Sequence, residues 1–235
     1  SDSKLVLKNV QEILSFQDKI VNKNIVSAAY RVKGLALYHT SEFKEALENL
    51  HKALAIDNKL KALDGIAGDL GTIGLIYMTQ SKYPEALKYY LESLTNFEKT
   101  KRNQIDVAVT LVNIATIYNE MGDSDKAMDT YQKSYQSFKK MNHILGQTNT
   151  LTNIGIIHFK NNNVKEAIRY SNIALKLADS VRDVRSIARE NGNLSSYYNS
   201  LKQFDLALTY ATKAINLNKE ISNKKSLGYN YQSIS

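Results

Sequence analysis

A small residue recurs along the chain every 40 or 41 positions, and this period constrains the fold more than any other feature. The five occurrences, which we call the repeat markers, are Gly34, Gly74, Ala115, Gly155 and Ser195. Twelve residues after each marker the sequence has alanine, at Ala46, Ala86, Ala127, Ala167 and Ala207. A fixed period of this length predicts an array of similar units, each packed on its neighbours.

Each repeat has the pattern of two antiparallel helices, A and B, joined by a short turn. Small residues at the marker and at the alanine let the two helices approach closely. A large residue follows each marker by three positions and is expected to fill the gap beside the next repeat, at Leu37, Tyr77, Tyr118, His158 and Tyr198. Pro84 lies where a B helix is predicted to begin, a position at which its missing N–H is harmless. The pattern therefore predicts an all-α fold.

The stretch IGLIYMTQSKYPEALKYYLESL, residues 73–94, has Leu or Ile before Gly, Tyr three residues later, then Ala, an aromatic residue and a small residue. It resembles the tetratricopeptide repeat family. The early Trp and the final Pro of that family are absent, and the period is about 40 rather than about 34 residues. The longer period is similar to that of kinesin light chains and bacterial peptide-sensing regulators. The resemblance implies a right-handed α-solenoid of antiparallel helix pairs.

We predict a single array over residues 1–235. The five repeats cover residues 25–58, 62–100, 103–140, 143–180 and 183–220. Residues 1–17 are predicted to form a B helix without its A helix, packed through Val6, Val10 and Ile13, and residues 223–235 to start a sixth A helix. Because both ends interrupt a repeat, we interpret the chain as a fragment of a longer protein.

Asparagine occupies the position two residues before the last three markers, at Asn113, Asn153 and Asn193. The resemblance implies that helix A lines a concave groove and that this position faces it. Asn149 and Arg189 lie one turn earlier on the same face. An amide both donates and accepts, so such a ladder could hold an extended or helical peptide. Alternatively, each asparagine bonds a neighbouring helix's backbone and only sets the spacing.

Arginines continue this candidate site. Arg185, Arg189 and Asn193 follow one another at intervals of four residues, and Ser196 directly follows the last marker. Guanidinium groups bind carboxylates in bidentate fashion, so we predict a partner with acidic side chains or a free carboxylate. Alternatively, the arginines pair at the surface with Asp179, Asp183 and Glu190. A chaperone-tail class of the family has a Lys/Asn/Lys/Arg clamp, which this sequence lacks.

Composition argues against several other functions. The formal net charge is +8, but the lysines are spread beside Asp and Glu without a basic block, so we predict no nucleic-acid partner. The chain has no Cys, which excludes disulfides and thiolate sites and fits the cytoplasm or, alternatively, a bacterial periplasm. No apolar run approaches the about 18 residues of a membrane span.

We predict no enzyme, no metal and no cofactor. The four histidines, His39, His51, His143 and His158, form no metal-binding or catalytic pattern, and His158 stands in the place of a core tyrosine. The sequence favours a peptide-binding module that uses the groove of repeats three to five. The alternative is the sensory or oligomerising region of a larger bacterial signalling protein, a histidine kinase or nucleotide cyclase, forming homo-oligomers through the exposed ends of the array.

Overall fold

The computed structural model describes residues 2–100 and 104–221, which form eleven α-helices and no strand. In chain order the helices are α1 (Asp2–Ser15), α2 (Lys23–His39), α3 (Phe43–Leu60), α4 (Leu63–Thr79), α5 (Tyr83–Thr100), α6 (Gln104–Glu120), α7 (Ser124–Lys140), α8 (Ile144–Lys160), α9 (Val164–Ser180), α10 (Val184–Ser200) and α11 (Phe204–Glu220). The predicted start of a sixth A helix, 223–235, lies outside the described residues.

The helices fall into two compact units, which divide between Met121 and Gly122. In the first unit α2 packs on α3 and α4 on α5, with α1 against α2 and α6 against α5. In the second unit α8 packs on α9 and α10 on α11, with α7 against α8. Helix pairs packed in chain order are the architecture of a repeat solenoid, so the all-α prediction is confirmed. The division falls inside the predicted third repeat, and the repeat boundaries stay predictions.

Small residues allow close packing within each helix pair. Four of the five alanines twelve residues after a marker have no exposed surface, and the fifth, Ala207, is 5% exposed. A Cβ atom at Gly34 would lie 2.7 Å from Leu50 Cγ, and one at Gly74 would lie 3.0 Å from Tyr90 Cδ2. Both distances are shorter than ordinary van der Waals contacts. These two helix pairs would have to repack around any larger marker residue.

The large residue three positions after the marker stacks on an aromatic residue of helix B. The three stacked pairs are Tyr77 with Tyr89, His158 with Tyr170 and Tyr198 with Tyr210, with ring centroids 5.4, 5.2 and 5.4 Å apart. Stacked rings of this kind stabilise the pair beyond the area they bury. His158 therefore takes the place of tyrosine in its repeat, as the sequence predicted.

The repeat phase extends to the backbone of the turns. Seven residues after each marker, the turn between helices A and B has a residue with positive φ: Ser41, Ser81, Gly122, Asn162 and Lys202. One residue in the left-handed region ends helix A and redirects the chain into helix B. Since only one of these five residues is glycine, the helix packing on either side imposes the conformation.

Helix α1 packs in a register that differs from the predicted one. Val10 and Leu14 are buried against Val26 and Ala29 of α2, as the sequence analysis expected for Val10. Ile13, which was predicted to pack, is 41% exposed. Residues four apart lie more nearly above one another on one side of a helix than residues three apart, and α1 contacts α2 along one such row.

Candidate functional site

The A helices of the second unit, α8 and α10, carry six of the seven predicted site residues. We call their surface the A-helix face; it consists of Asn149, Asn153, Arg185, Arg189, Asn193 and Ser196. The two helices are in contact, and a side-chain bond joins them across 40 residues of sequence: Arg189 Nη2 donates to Asn149 Oδ1 over 2.8 Å. The three asparagines are half-buried and Arg189 is exposed.

A buried carboxylate lies beneath the A-helix face. Glu190 has no exposed surface, and four side chains donate hydrogen bonds to it. Ser171 Oγ and Asn193 Nδ2 donate to Oε2 over 2.9 and 3.4 Å, while Thr152 Oγ1 and Arg189 Nε donate to Oε1, the latter over 3.3 Å. The alternative in which Glu190 pairs with arginine at the surface is therefore wrong about the location of Glu190. The carboxylate links α8, α9 and α10.

The side chain of Arg189 is held by the protein through two of its three nitrogens. Nε is bonded to Glu190, and Nη2 donates to Asn149, to Thr152 Oγ1 over 3.3 Å and to Ser186 Oγ over 3.2 Å. The side chain is still 41% exposed. A guanidinium with a fixed plane and a compensated charge can present hydrogen-bond donors without acting as a free cation.

Two predicted asparagines have free amides. Neither Asn153 in the second unit nor Asn113 in the first makes a side-chain hydrogen bond to any residue that the structure describes, although both are half-buried. The alternative, in which each asparagine bonds the backbone of a neighbouring helix, therefore does not hold for Asn153 and Asn113 within the described residues. Asn193 also bonds a side chain, that of Glu190, rather than a backbone group.

The remaining polar residues of the A-helix face differ in their contacts. The exposed side chain of Arg185 makes no hydrogen bond or ion pair within residues 2–100 and 104–221. The same holds for the side chain of Arg182, which lies between α9 and α10 with φ of 54°. The carboxylate of Asp183 instead caps α10, accepting from Ser186 N over 3.3 Å. Ser196 Oγ donates to Gly192 O of its own helix over 3.3 Å.

Asn113 lines a cavity of about 440 Å³ in the first unit. Helices α4, α5 and α6 form its wall. Two glycines, Gly68 and Gly71, leave room for it, and its other lining side chains include Thr72, Leu75, Tyr90, Phe97 and Val109. The wall is therefore mainly apolar, although Asp106 and Thr110 also line it. The cavity can accept an apolar side chain with a polar group beside Asn113.

The first unit has a buried ion-pair cluster that the sequence analysis did not find. Asp57 and Asp69 are 2% and 0% exposed, and both accept hydrogen bonds from Arg31, the Asp69 bond measuring 2.6 Å from Nε to Oδ1. Burial raises the pKa of Asp69 to about 6, and the Arg31 guanidinium opposes this shift. The pKa of Arg31 is also raised, because its two carboxylate partners outweigh its partial burial.

Asp69 and Glu190 occupy the same position in their repeats. Each lies five residues before a marker, where the other repeats have the smaller residues Ala29, Thr110 and Thr150. Each also accepts a hydrogen bond from the residue three before the preceding marker, Arg31 or Thr152. The sequence did contain a signal for these two buried carboxylates: each is an acidic residue at a repeat position that the other repeats fill with smaller side chains. The periodicity alone could not identify their donors.

The described chain offers few sites for other chemistry. Among residues 2–100 and 104–221, no group of three or more His, Cys, Asp or Glu side chains could hold a metal ion. None of the helices found there has both the length and the apolar character that crossing a membrane requires.

Two tetratricopeptide repeat family models each match one segment of the chain, residues 69–140 and residues 191–221. Both segments therefore consist of tetratricopeptide repeats. The matched segments include helix pairs from both units, and the TPR resemblance inferred from residues 73–94 is confirmed.

Curated relatives of this TPR protein include photosystem I assembly protein Ycf3. The protein from Prochlorococcus marinus (strain NATL1A) is 36% identical over 118 residues, which is 50% of this chain and 60% of the relative. The chain therefore matches less than two thirds of the relative's length. Ycf3 is named as an assembly protein rather than as an enzyme.

Solved structures share the TPR fold at low sequence identity. Aspartyl phosphate phosphatase F from Bacillus subtilis has a TM-score of 0.83 at 15% identity, covering 94% of this chain and 58% of that one. A Rap protein in complex with competence and sporulation factor has a TM-score of 0.73 at 12% identity, with coverages of 99% and 69%. Kinesin light chain repeats from Podosopora anserina score 0.70 at 14% identity, covering 87% and 100%. At these identities the likeness shows the fold alone.

Proposed function

We propose that this TPR array is a peptide-binding scaffold whose A-helix face holds an extended segment of a partner protein. The observation that carries the proposal is the half-buried amide of Asn153, which makes no hydrogen bond within the described part of the chain. Such an amide has both a donor and an acceptor to offer, and an extended peptide backbone supplies the complement of both. A helical ligand would keep its backbone groups bonded internally, so the amides favour an extended one.

The neighbouring residues support the same function. Asn149 and Asn193 lie one turn before Asn153 and at its equivalent position in the next repeat, so the amides form a contiguous polar surface. Arg185 adds an exposed cation at one edge of that surface. Asn113 has the same free amide, and we propose it as a peptide contact of the first unit, beside the apolar cavity that it lines.

Two of the compared proteins are in keeping with this proposal. Ycf3 is by name an assembly protein, and the Rap protein was solved in complex with competence and sporulation factor. We extend only the general role of a scaffold from them to this chain, and we propose binding rather than catalysis.

The test is a library of short peptides with acetylated and amidated ends, captured on the immobilised chain. The best-retained peptide is then titrated by fluorescence polarisation against the wild type, Asn153→Ala and Asn172→Ala. Asn172 is a matched control, because its amide lies on a B helix and donates to Ile168 O of its own helix over 2.9 Å.

We expect Asn153→Ala to raise Kd about fivefold, since a neutral hydrogen bond contributes about 1 kcal/mol. Asn172→Ala should leave Kd unchanged, and the melting curve of Asn153→Ala should match that of the wild type. Failure of the wild type to retain any peptide would contradict the proposal. So would equal weakening of binding by the two substitutions.

A further inference from the structure

The two units of the chain differ in charge. Residues 122–235 contain 16 Lys and Arg against nine Asp and Glu, whereas residues 1–121 contain 15 against 14. The second unit therefore carries nearly all of the formal net charge of +8. A surface with this excess of positive charge attracts acidic partners and repels basic ones.

The two arginines on the A-helix face are in different electrostatic states. Arg185 is exposed and has no carboxylate partner in the described residues. Arg189, one turn later on the same helix, is paired with the fully buried Glu190. A ligand carboxylate that approached Arg189 would meet the negative charge of Glu190 beneath it, and this like charge would weaken binding.

Glu190 and its partner Arg189 also fix the orientation of two side-chain amides, those of Asn193 and Asn149. Arginine has no acceptor, so the Asn149 atom that contacts Arg189 must be the oxygen, and the amide N–H groups remain for a ligand. An ionised carboxylate has no donor, so the Asn193 atom that contacts Glu190 must be the nitrogen, and the oxygen remains. One amide thus offers donors and the other an acceptor.

We infer that Glu190 sets the ligand chemistry of the A-helix face by occupying Arg189 in place of a ligand carboxylate. The face then takes a single ligand carboxylate, at Arg185, and binds the rest of the ligand through neutral peptide groups at the amides. Glu190 is a positioning residue, because it acts through Arg189 and Asn193 and is itself inaccessible. This inference rests on the proposed function.

The inference is tested with the capped peptide library, in which each position in turn is fixed as Asp or Asn. On the wild type, Asp should be preferred over Asn at one position. Glu190→Gln has the same shape and keeps an oxygen for Thr152 and Arg189, but it removes the charge that compensates Arg189. In this variant Asp should gain a preference of about tenfold at a second position, as a charge-assisted hydrogen bond to Arg189 becomes available.

Two arginine variants test the inference without altering Glu190. Arg185→Gln should abolish the Asp preference of the wild type, whereas Arg189→Gln should leave that preference in place because Arg189 does not hold a ligand carboxylate. These variants remain informative if Glu190→Gln does not fold, which its circular dichroism spectrum would reveal. They also form a matched pair, since both remove one positive charge from the same helix.

The outcomes separate this inference from the function on which it rests. Two outcomes support the inference. One is that Glu190→Gln prefers Asp at a second peptide position. The other is that Arg185→Gln loses the wild-type preference for Asp while Arg189→Gln keeps it. A folded Glu190→Gln with the wild-type profile, or with uniformly weaker binding of all peptides, overturns it while peptide binding stands. Equal effects of the two arginine substitutions also overturn it. If the wild type retains no peptide, the proposed function and this inference fail together.

Discussion

Replacing Asp69 by asparagine should remove most of the pH dependence of stability that this buried carboxyl creates. Burial raises the pKa of Asp69 from 3.8 to about 6, and the Arg31 guanidinium opposes the shift without cancelling it. The folded state therefore binds the proton more tightly than the unfolded state does. The contribution of this group to stability is complete below about pH 4 and is lost as the pH rises through about 6.

The size of the effect follows from the shift. The pKa of Asp69 rises by about two units, and each unit corresponds to about 1.4 kcal/mol. Ionisation of Asp69 should therefore lower the free energy of unfolding by on the order of 3 kcal/mol. Asparagine has nearly the same size as the protonated acid and carries no charge at any pH. Asp69→Asn should therefore match the wild type near pH 4 and exceed it by up to about 3 kcal/mol near pH 7.

The assay is urea unfolding followed by circular dichroism, for both proteins across this pH range. The difference between the two free energies of unfolding cancels the contribution of every titrating group that both proteins contain. Asp18→Asn serves as the control, because Asp18 is an exposed carboxylate of the same unit and its loss changes the net charge equally. A difference between Asp69→Asn and the wild type that stays constant with pH, or grows as the pH falls, would refute the reasoning.

Four further substitutions test packing and charge. Gly146→Ala should lower the free energy of unfolding by about 1–3 kcal/mol, because its Cβ would lie 2.4 Å from the Phe138 ring. Gly68→Ala, whose Cβ meets nothing nearer than 3.9 Å, should instead raise it by about 0.5–1 kcal/mol, and urea unfolding that ranks them the other way would contradict both values. Ala167→Leu should cost about 1–3 kcal/mol in the same assay, since Ala167 has no exposed surface, and an unchanged free energy of unfolding would count against close helix packing there. Arg31→Met leaves two buried carboxylates without their cation and should cost about 3–5 kcal/mol at neutral pH, with recovery in acid; a loss of equal size at all pH values would argue against the ion pairs as its cause.

The asparagine positions were predictable, but their contacts were not. The repeat phase places Asn153 and Asn193 at equivalent sites on two A helices, and the structure finds both half-buried on those helices. Periodicity, however, reports only which side of a helix a residue occupies. The side chain of Asn193 bonds Glu190, while the side-chain amide of Asn153 bonds nothing in the described chain. This difference depends on the neighbouring side chains of each repeat.

The alternative interpretation of Glu190 as a surface partner of arginine failed for a related reason. Its sequence neighbours Arg189 and Arg185 suggested a surface ion pair, yet adjacent residues on a helix point in different directions. Glu190 points inward, where Thr152 and Ser171 of two other helices supply donors to a carboxylate that has no exposed surface. A sequence contains no direct record of such donors, because they lie 38 and 19 residues away along the chain.

The sequence by itself determined the architecture, since a period of 40 residues with small markers and recurrent alanines permits only helix pairs that stack on their neighbours. It also determined where each A helix carries its large gap-filling residue and the surface on which the asparagines lie. Only the tertiary structure decided which polar groups are paired, buried or free, as with Asp69, Glu190 and Asn153. The reason is physical: backbone periodicity arises within one repeat, whereas hydrogen bonding and desolvation depend on atoms contributed by several helices at once.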